Sequence, residues 1–447
     1  MRYLPNTPQN QRAMLDTIGV RSVEDLLVRI PAKARLSRPL ALPPALAESD
    51  LVRHLRGLAA RNADADSFTC FLGAGAYDHY VPSPISHLVL RGEFLTAYTP
   101  YQPEASQGTL RTIYEYQTMI AELTGMDVAN ASIYDGGSSL AEAVLMAHAV
   151  NGRSEIAVAA AVNPLYRRVV ETYVDGPGLR LREVPAPEGV TDLDAARRVV
   201  GGKTAALVVQ SPNFYGCLED MTAAAEIAHA AGALLIVVSD PVNLGVLEAP
   251  GRQGADVVVG EGQGLGVPLG FGGPYLGVFA AKQEFVRRLP GRLVGATVDL
   301  DGARGFALTL QTREQHIRRA KATSNICTNV ALCALMATIY LATLGKQGLA
   351  RVGELSTAKA HYAARRLAEV PGVTLRFPQP FFKEFTLKLP KSPDRVAARL
   401  ARQNILAGLP LKGLDRKHAD CLLVAVTEKR TKDEIDAFAD ALGKAVA

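Results

Sequence analysis

Residues 254–282, "GADVVVGEGQGLGVPLGFGGPYLGVFAAK", decide how this chain reads. An apolar run closes on Glu261, a glycine-dense turn follows, and a second apolar run ends at Lys282. Seven glycines fall within the fifteen residues from Gly260 to Pro274, far more than a connection between two strands needs. Such density lets a backbone adopt left-handed conformations and approach a ligand or another chain closely, although a plain surface loop has the same composition. Just upstream, "ALLIVVSDP" reads as a strand ending at Asp240. Open α/β sheets collect their ligands at the carboxyl ends of strands, so this carboxylate is a candidate site residue. It is equally a cap for the turn that Pro241 begins.

Working outward, "LRTIYEYQTMIAEL" and "MTAAAEIAHAAGA" have helical spacing, whereas "EIAVAAAV", "AALVVQ" and "LLIVVSD" are short apolar runs. Strands alternating with helices predict an α/β domain whose mainly parallel sheet is covered on both faces. Residues 8–17 and 22–30 read as helices of an N-terminal arm, with Ser22 and Asp25 matching a capping box. Residues 320–344 are nearly uncharged and suit a buried helix or an oligomer face. Beyond Gly348 the order strand, strand, helix, strand, helix predicts a compact α+β unit. The expected organisation is a helical arm over 1–65, a large α/β domain over 66–345 and a small α+β domain over 346–447.

A chain of 447 residues with 48% hydrophobic content can bury a sizeable core. Its 49 basic and 44 acidic residues are interleaved, so the formal charge of +5 marks no nucleic-acid stripe. Cys70, Cys217, Cys327, Cys333 and Cys421 are too dispersed for a metal pair or a disulfide framework, so no metal site is expected. The first residues lack a signal-peptide pattern, and no uninterrupted apolar run matches a bilayer, so the expectation is a cytoplasmic protein with no membrane contact.

Three further stretches carry polar chemistry. In "YDGGSSLAEAVLMAH", Gly136, Gly137 and Ser138 open a helix whose free N–H groups suit an anion such as phosphate, or merely begin a well-capped helix. In "AYTPYQPEASQGTL", Pro100 and Pro103 stiffen a loop that presents Tyr98 and Tyr101, unless these rings simply pack. In "LQTREQHIRRAKATSNICT", Arg313 and His316 can meet an anion, and Thr323, Ser324 and Asn325 are three consecutive hydrogen-bonding side chains. Arg318 and Arg319 read as a solvated face.

Taken together, residues 96–143, 262–274 and 312–328 resemble the P-proteins of the glycine cleavage system, and the resemblance runs over essentially the whole chain. It implies a PLP-dependent transferase-like large domain, the aminotransferase fold type I, in which a strand-end aspartate holds the pyridine nitrogen of pyridoxal phosphate (PLP) and a lysine in the next turn binds its aldehyde. Asp240 matches the aspartate, but counting back from Pro268 by the family's spacing puts Gln263 at the lysine position. The turn contains no lysine; in sequence the nearest are Lys203 and Lys282.

The resemblance therefore implies the α half of a two-subunit P-protein. Gly136, Gly137, Ser138 and Asp240 are then remnants of its own site, with no catalytic residue and no covalent cofactor of its own. A glycine dehydrogenase β subunit would carry PLP in an α2β2 heterotetramer, decarboxylate glycine and pass the aminomethyl group to the lipoyl group of H-protein. Tyr98 and Tyr101 would border the partner's glycine pocket, and Thr323, Ser324 and Asn325 its PLP phosphate. The alternatives are a self-sufficient PLP enzyme using Lys282 or Lys203, or a scaffold without influence on chemistry.

Overall fold

The computed structural model describes residues 6–270 and 272–447, which fall into two compact units divided between Asn62 and Ala63. In the first unit, α1 (Pro8–Ile18) is capped by Thr7 and closed by Gly19 in the left-handed region. The Ser22/Asp25 capping box is present, but the helix that it starts is a single turn, Val23–Leu26, rather than the expected run to residue 30. None of its residues is buried, and a short helix with no packed face does not propagate. The unit's other long helix is α2 (Glu48–Ala59).

The second unit is built on a seven-stranded sheet. Its strands are β1 (Val128–Ala129), β2 (Glu155–Ala159), β3 (Arg180–Val184), β4 (Thr204–Gln210), β5 (Leu234–Val238), β6 (Val257–Glu261) and β7 (Gly277–Ala281), in the order β1-β7-β6-β5-β4-β2-β3. The five strands from β2 to β6 run parallel, while β7 is antiparallel to both β6 and β1. Apolar and polar residues do not alternate along β4: Ala205–Val209 are all buried, as expected of a strand covered on both faces. The helices α3 (Gln107–Thr124), α4 (Gly136–Asn151), α5 (Pro164–Asp175) and α6 (Met221–Ala230) supply the cover, and α4 is buried on nearly every side. An antiparallel hairpin, β8 (Leu293–Val298) with β9 (Arg304–Thr309), lies against α3.

The apolar stretch over 320–344 is not one helix. Residues 322–330 are irregular: Ser324 Oγ accepts from Ile326 N within the segment, and Asn329 Nδ2 donates to Ala131 O, outside it. Helix α7 (Ala331–Ala368) begins only after them, kinks at Gly345 and buries Cys333, Ala337 and Tyr340 in the main core. Next come β10 (Thr374–Leu375), β11 (Glu384–Lys388), α8 (Pro393–Ala401), β12 (Leu409–Pro410), β13 (Cys421–Ala425) and α9 (Lys432–Val446). The four strands form an antiparallel sheet in the order β10-β11-β13-β12, with a core of its own around Phe71, Leu387, Val424 and Phe438.

Candidate functional site

The hairpin formed by β6 and β7 pairs Glu261 with Gly277, so the glycine-rich turn hangs from the carboxyl edge of the parallel strands, beside Asp240 and the N-terminus of α4. Asp135 caps that helix by accepting from Ser138 N at 2.8 Å. Gly136 has a packing reason: a Cβ there would lie 2.7 Å from Tyr166 Oη and 3.1 Å from Glu261 N. The free amides of this N-terminus face protein. Glu261 Oε2 accepts from Gly136 N at 3.0 Å, and Oε1 accepts from Gln263 N at 3.0 Å and Leu276 N at 2.9 Å. Burial pushes the Glu261 carboxyl up to about 8, against the pull of these three N–H groups.

Gln263 is buried, and both ends of its amide are hydrogen-bonded. Its Oε1 accepts from Tyr77 N at 2.8 Å, and its Nε2 donates to Val267 O at 2.8 Å. The amide thus joins the turn to the segment around Tyr77, a bond that an ammonium could not accept.

Asp240 caps the turn after β5 through Oδ1, which accepts from Val242 N at 3.0 Å. Its Oδ2 lies 2.5 Å from Lys383 Nζ. Neither Lys203 nor Lys282 is the lysine near Asp240. Lys203 precedes β4, and Lys282 ends the antiparallel β7, where it pairs with Asp256 at 2.5 Å at the start of β6; both therefore lie at the amino edge of the parallel strands. Lys383 escaped sequence reasoning because it precedes β11, more than a hundred residues beyond Asp240, and belongs to no local motif.

Lys383 is the centre of a buried network. Its Nζ donates to His79 Nε2 at 2.7 Å and lies 3.6 Å from the centroid of the Tyr77 ring. His79 Nδ1 in turn donates to Glu428 Oε2 at 2.6 Å. Burial works to raise the Glu428 pKa, but His79 and the N–H of Tyr80 outweigh it and hold the group at about 2. Next to Lys383, Glu384 accepts from Tyr77 Oη at 2.6 Å and Ala74 N at 2.7 Å, and burial raises it to about 7. The space enclosed by Tyr77, Tyr166, Asp240, Glu261, Lys383 and Glu384 is about 30 Å³.

The other expected site residues form a separate cluster. Tyr98 is 83% exposed and borders an apolar groove of about 340 Å³ with Phe94, Ile113, Val330 and Leu335. Tyr101 Oη accepts from Arg292 at 3.1 Å, and Arg292 also donates to Thr328 Oγ1 and lies 3.7 Å from Glu314. Thr323 N donates to Arg313 O, Ser324 Oγ accepts from Ile326 N, and Asn325 is exposed. Gly136, Ser138, Asp240 and Gln263 thus gather at one sheet edge, while Tyr98 and Tyr101 stand with the Arg292 cluster.

This architecture defines a class. A sphingosine-1-phosphate lyase of Burkholderia pseudomallei shares the fold with a TM-score of 0.67 at 17% identity, covering 93% of this chain and 94% of that one. The fold is that of the PLP-dependent fold type I enzymes, as the sequence led us to expect. The particular family follows from closer likenesses. A crystal structure of glycine decarboxylase (P-protein) of the glycine cleavage system, in inhibitor-bound form, matches with a TM-score of 0.91 and 48% identity over 100% of both chains. The probable glycine dehydrogenase (decarboxylating) subunit 1 of Desulforamulus reducens is 52% identical over 99% of each chain. The chain belongs to the glycine cleavage system P-protein family, whose profile matches residues 1–442.

The residues at the sheet edge do not fit PLP. The turn carries no lysine, Lys383 already pairs with Asp240, and Glu261 already accepts from Gly136 N at the start of α4. The enclosed space holds about two waters, whereas a small-molecule pocket takes about 300 Å³ or more.

Proposed function

We propose that this chain is the non-catalytic α subunit of a two-subunit glycine dehydrogenase (decarboxylating), acting in the cytoplasm. Its β partner carries PLP, decarboxylates glycine and transfers the aminomethyl group to the lipoyl arm of H-protein, within an α2β2 assembly. The observation that carries this reading is Gln263, built into the backbone of the turn at the family's lysine position. The chain retains the fold because, in this class, loops of one subunit complete the active site of the other. Tyr98 and Tyr101 then serve the partner's glycine pocket, and Thr323, Ser324 and Asn325 its cofactor phosphate. The exposure of Tyr98 and Asn325 is in keeping with that role.

The test is direct. The purified chain is treated with PLP and borohydride, and the lysines are mapped by mass spectrometry; no stoichiometric adduct is expected on Lys203, Lys282 or Lys383. Co-expression with a lysine-bearing partner should produce glycine–bicarbonate exchange that neither chain shows alone. A trapped lysine together with exchange by the isolated chain would make it a self-sufficient enzyme.

A further inference from the structure

Two side chains close the space between Asp240 and the N-terminus of α4. At one end the Lys383 ammonium lies 2.5 Å from Asp240 Oδ2, steadied by His79 and the Tyr77 ring. At the other, the Glu261 carboxyl accepts three backbone N–H bonds, one of them from Gly136 at the helix start. A phosphorylated pyridine at this sheet edge needs two partners: a carboxylate for its protonated ring nitrogen and N–H donors for its phosphate. Here the carboxylate is ion-paired with Lys383, and the first N–H of the helix, that of Gly136, is held by Glu261.

We propose that Lys383 and Glu261 are internal replacements for the ring nitrogen and the phosphate of a cofactor, holding this site in shape with no ligand bound. The proposal rests on the non-catalytic role put forward above and adds the means by which the emptied site is kept folded. Lys383 immediately precedes β11 of the small sheet and Glu261 ends β6, so the replacement also ties Asp240 on the main sheet to the segment before β11.

The test uses the full-length chain. Glu261→Ala leaves three amides without their acceptor; its thermal midpoint should fall by about 4 °C or more, and inorganic phosphate should restore at least half of that loss. The same phosphate should shift wild type and Lys383→Met much less. Lys383→Met should also be destabilised, and adding Asp240→Asn should recover at least half of the loss, because the carboxylate then no longer lacks its counter-ion. The Glu261→Ala/Lys383→Ala chain should gain saturable, non-covalent binding of PLP, followed by fluorescence, which wild type lacks. A phosphate response no larger than that of wild type, or no recovery with Asp240→Asn, overturns the proposal. Should Glu261→Ala not fold, the Lys383→Met pair still decides. A borohydride-stable lysine adduct on the wild-type chain would instead defeat the non-catalytic role.

Discussion

Gln263 shows how one side chain can tie a glycine-rich turn to the rest of a fold. Its carbonyl oxygen accepts from Tyr77 N inside the protein, so Gln263→Lys would orphan that N–H and bury an ammonium beside it. The expected cost is about 3 kcal/mol, read as a lower midpoint in denaturant, with no gain of glycine decarboxylation. Glu261 and Glu384 set a pH dependence. Burial raises them to about 8 and about 7 from an ordinary 4.5. A carboxyl with a raised folded pKa binds its proton more tightly in the folded state, so its contribution is complete below about pH 4.5 and is lost as pH rises through the folded value. Stability attributable to this pair should therefore decline between about pH 5 and 9, and Glu261→Gln should flatten the slope in equilibrium unfolding. Glu428, held at about 2, acts with the opposite sign: its contribution is present above pH 4.5 and lost as pH falls toward 2.

At the scale of elements, the loops before α3 and α7 carry the proposed contribution to the partner. Tyr98→Phe keeps the ring and removes an exposed hydroxyl, so folding should be unchanged. If that hydroxyl meets a charged group of glycine, the loss is about 1.5–3 kcal/mol, or roughly ten- to a hundredfold in kcat/KM of the reconstituted complex. Tyr101→Phe should lower kcat/KM similarly and also destabilise the chain slightly, because Arg292 loses an acceptor. Thr323→Val and Ser324→Ala should instead loosen PLP on the partner, with partial rescue by excess cofactor. Wild-type rates for all four variants at limiting glycine and PLP would leave these loops a scaffold only.

For the whole molecule, the expected behaviour is assembly. The first unit has no buried residue in α1 or α2 and exposes Ile18, Val28, Leu40, Leu42 and Leu55. Apolar side chains exposed in such number within one unit suit an interaction site, and obligate interfaces bury upward of about 2,000 Å². Light scattering should show a homodimer or larger species for the chain alone and an α2β2 complex with its partner. A monodisperse monomer unchanged by the partner would contradict this.

What the sequence determined by itself was whatever local chemistry specifies. The periodicity of α4 and α6, the apolar runs of β4 and β5, and the capping box at Ser22 all specify elements from residues close together along the chain. The long motifs placed the chain in its family, and the absence of lysine from the glycine-rich turn is plain in the sequence. Sequence alone over-read the helix after Ser22 and the start of the helix within 320–344, where packing and polar side chains decide the ends. It also missed the buried network around Lys383. Lys383, His79, Tyr77, Glu384 and Glu428 come from distant segments, His79 and Glu428 being 349 residues apart, and meet only because the small sheet folds onto the carboxyl edge of the large one. A buried charge takes its partner from whatever the tertiary fold brings within about 3 Å, and no period or spacing along the chain encodes that meeting.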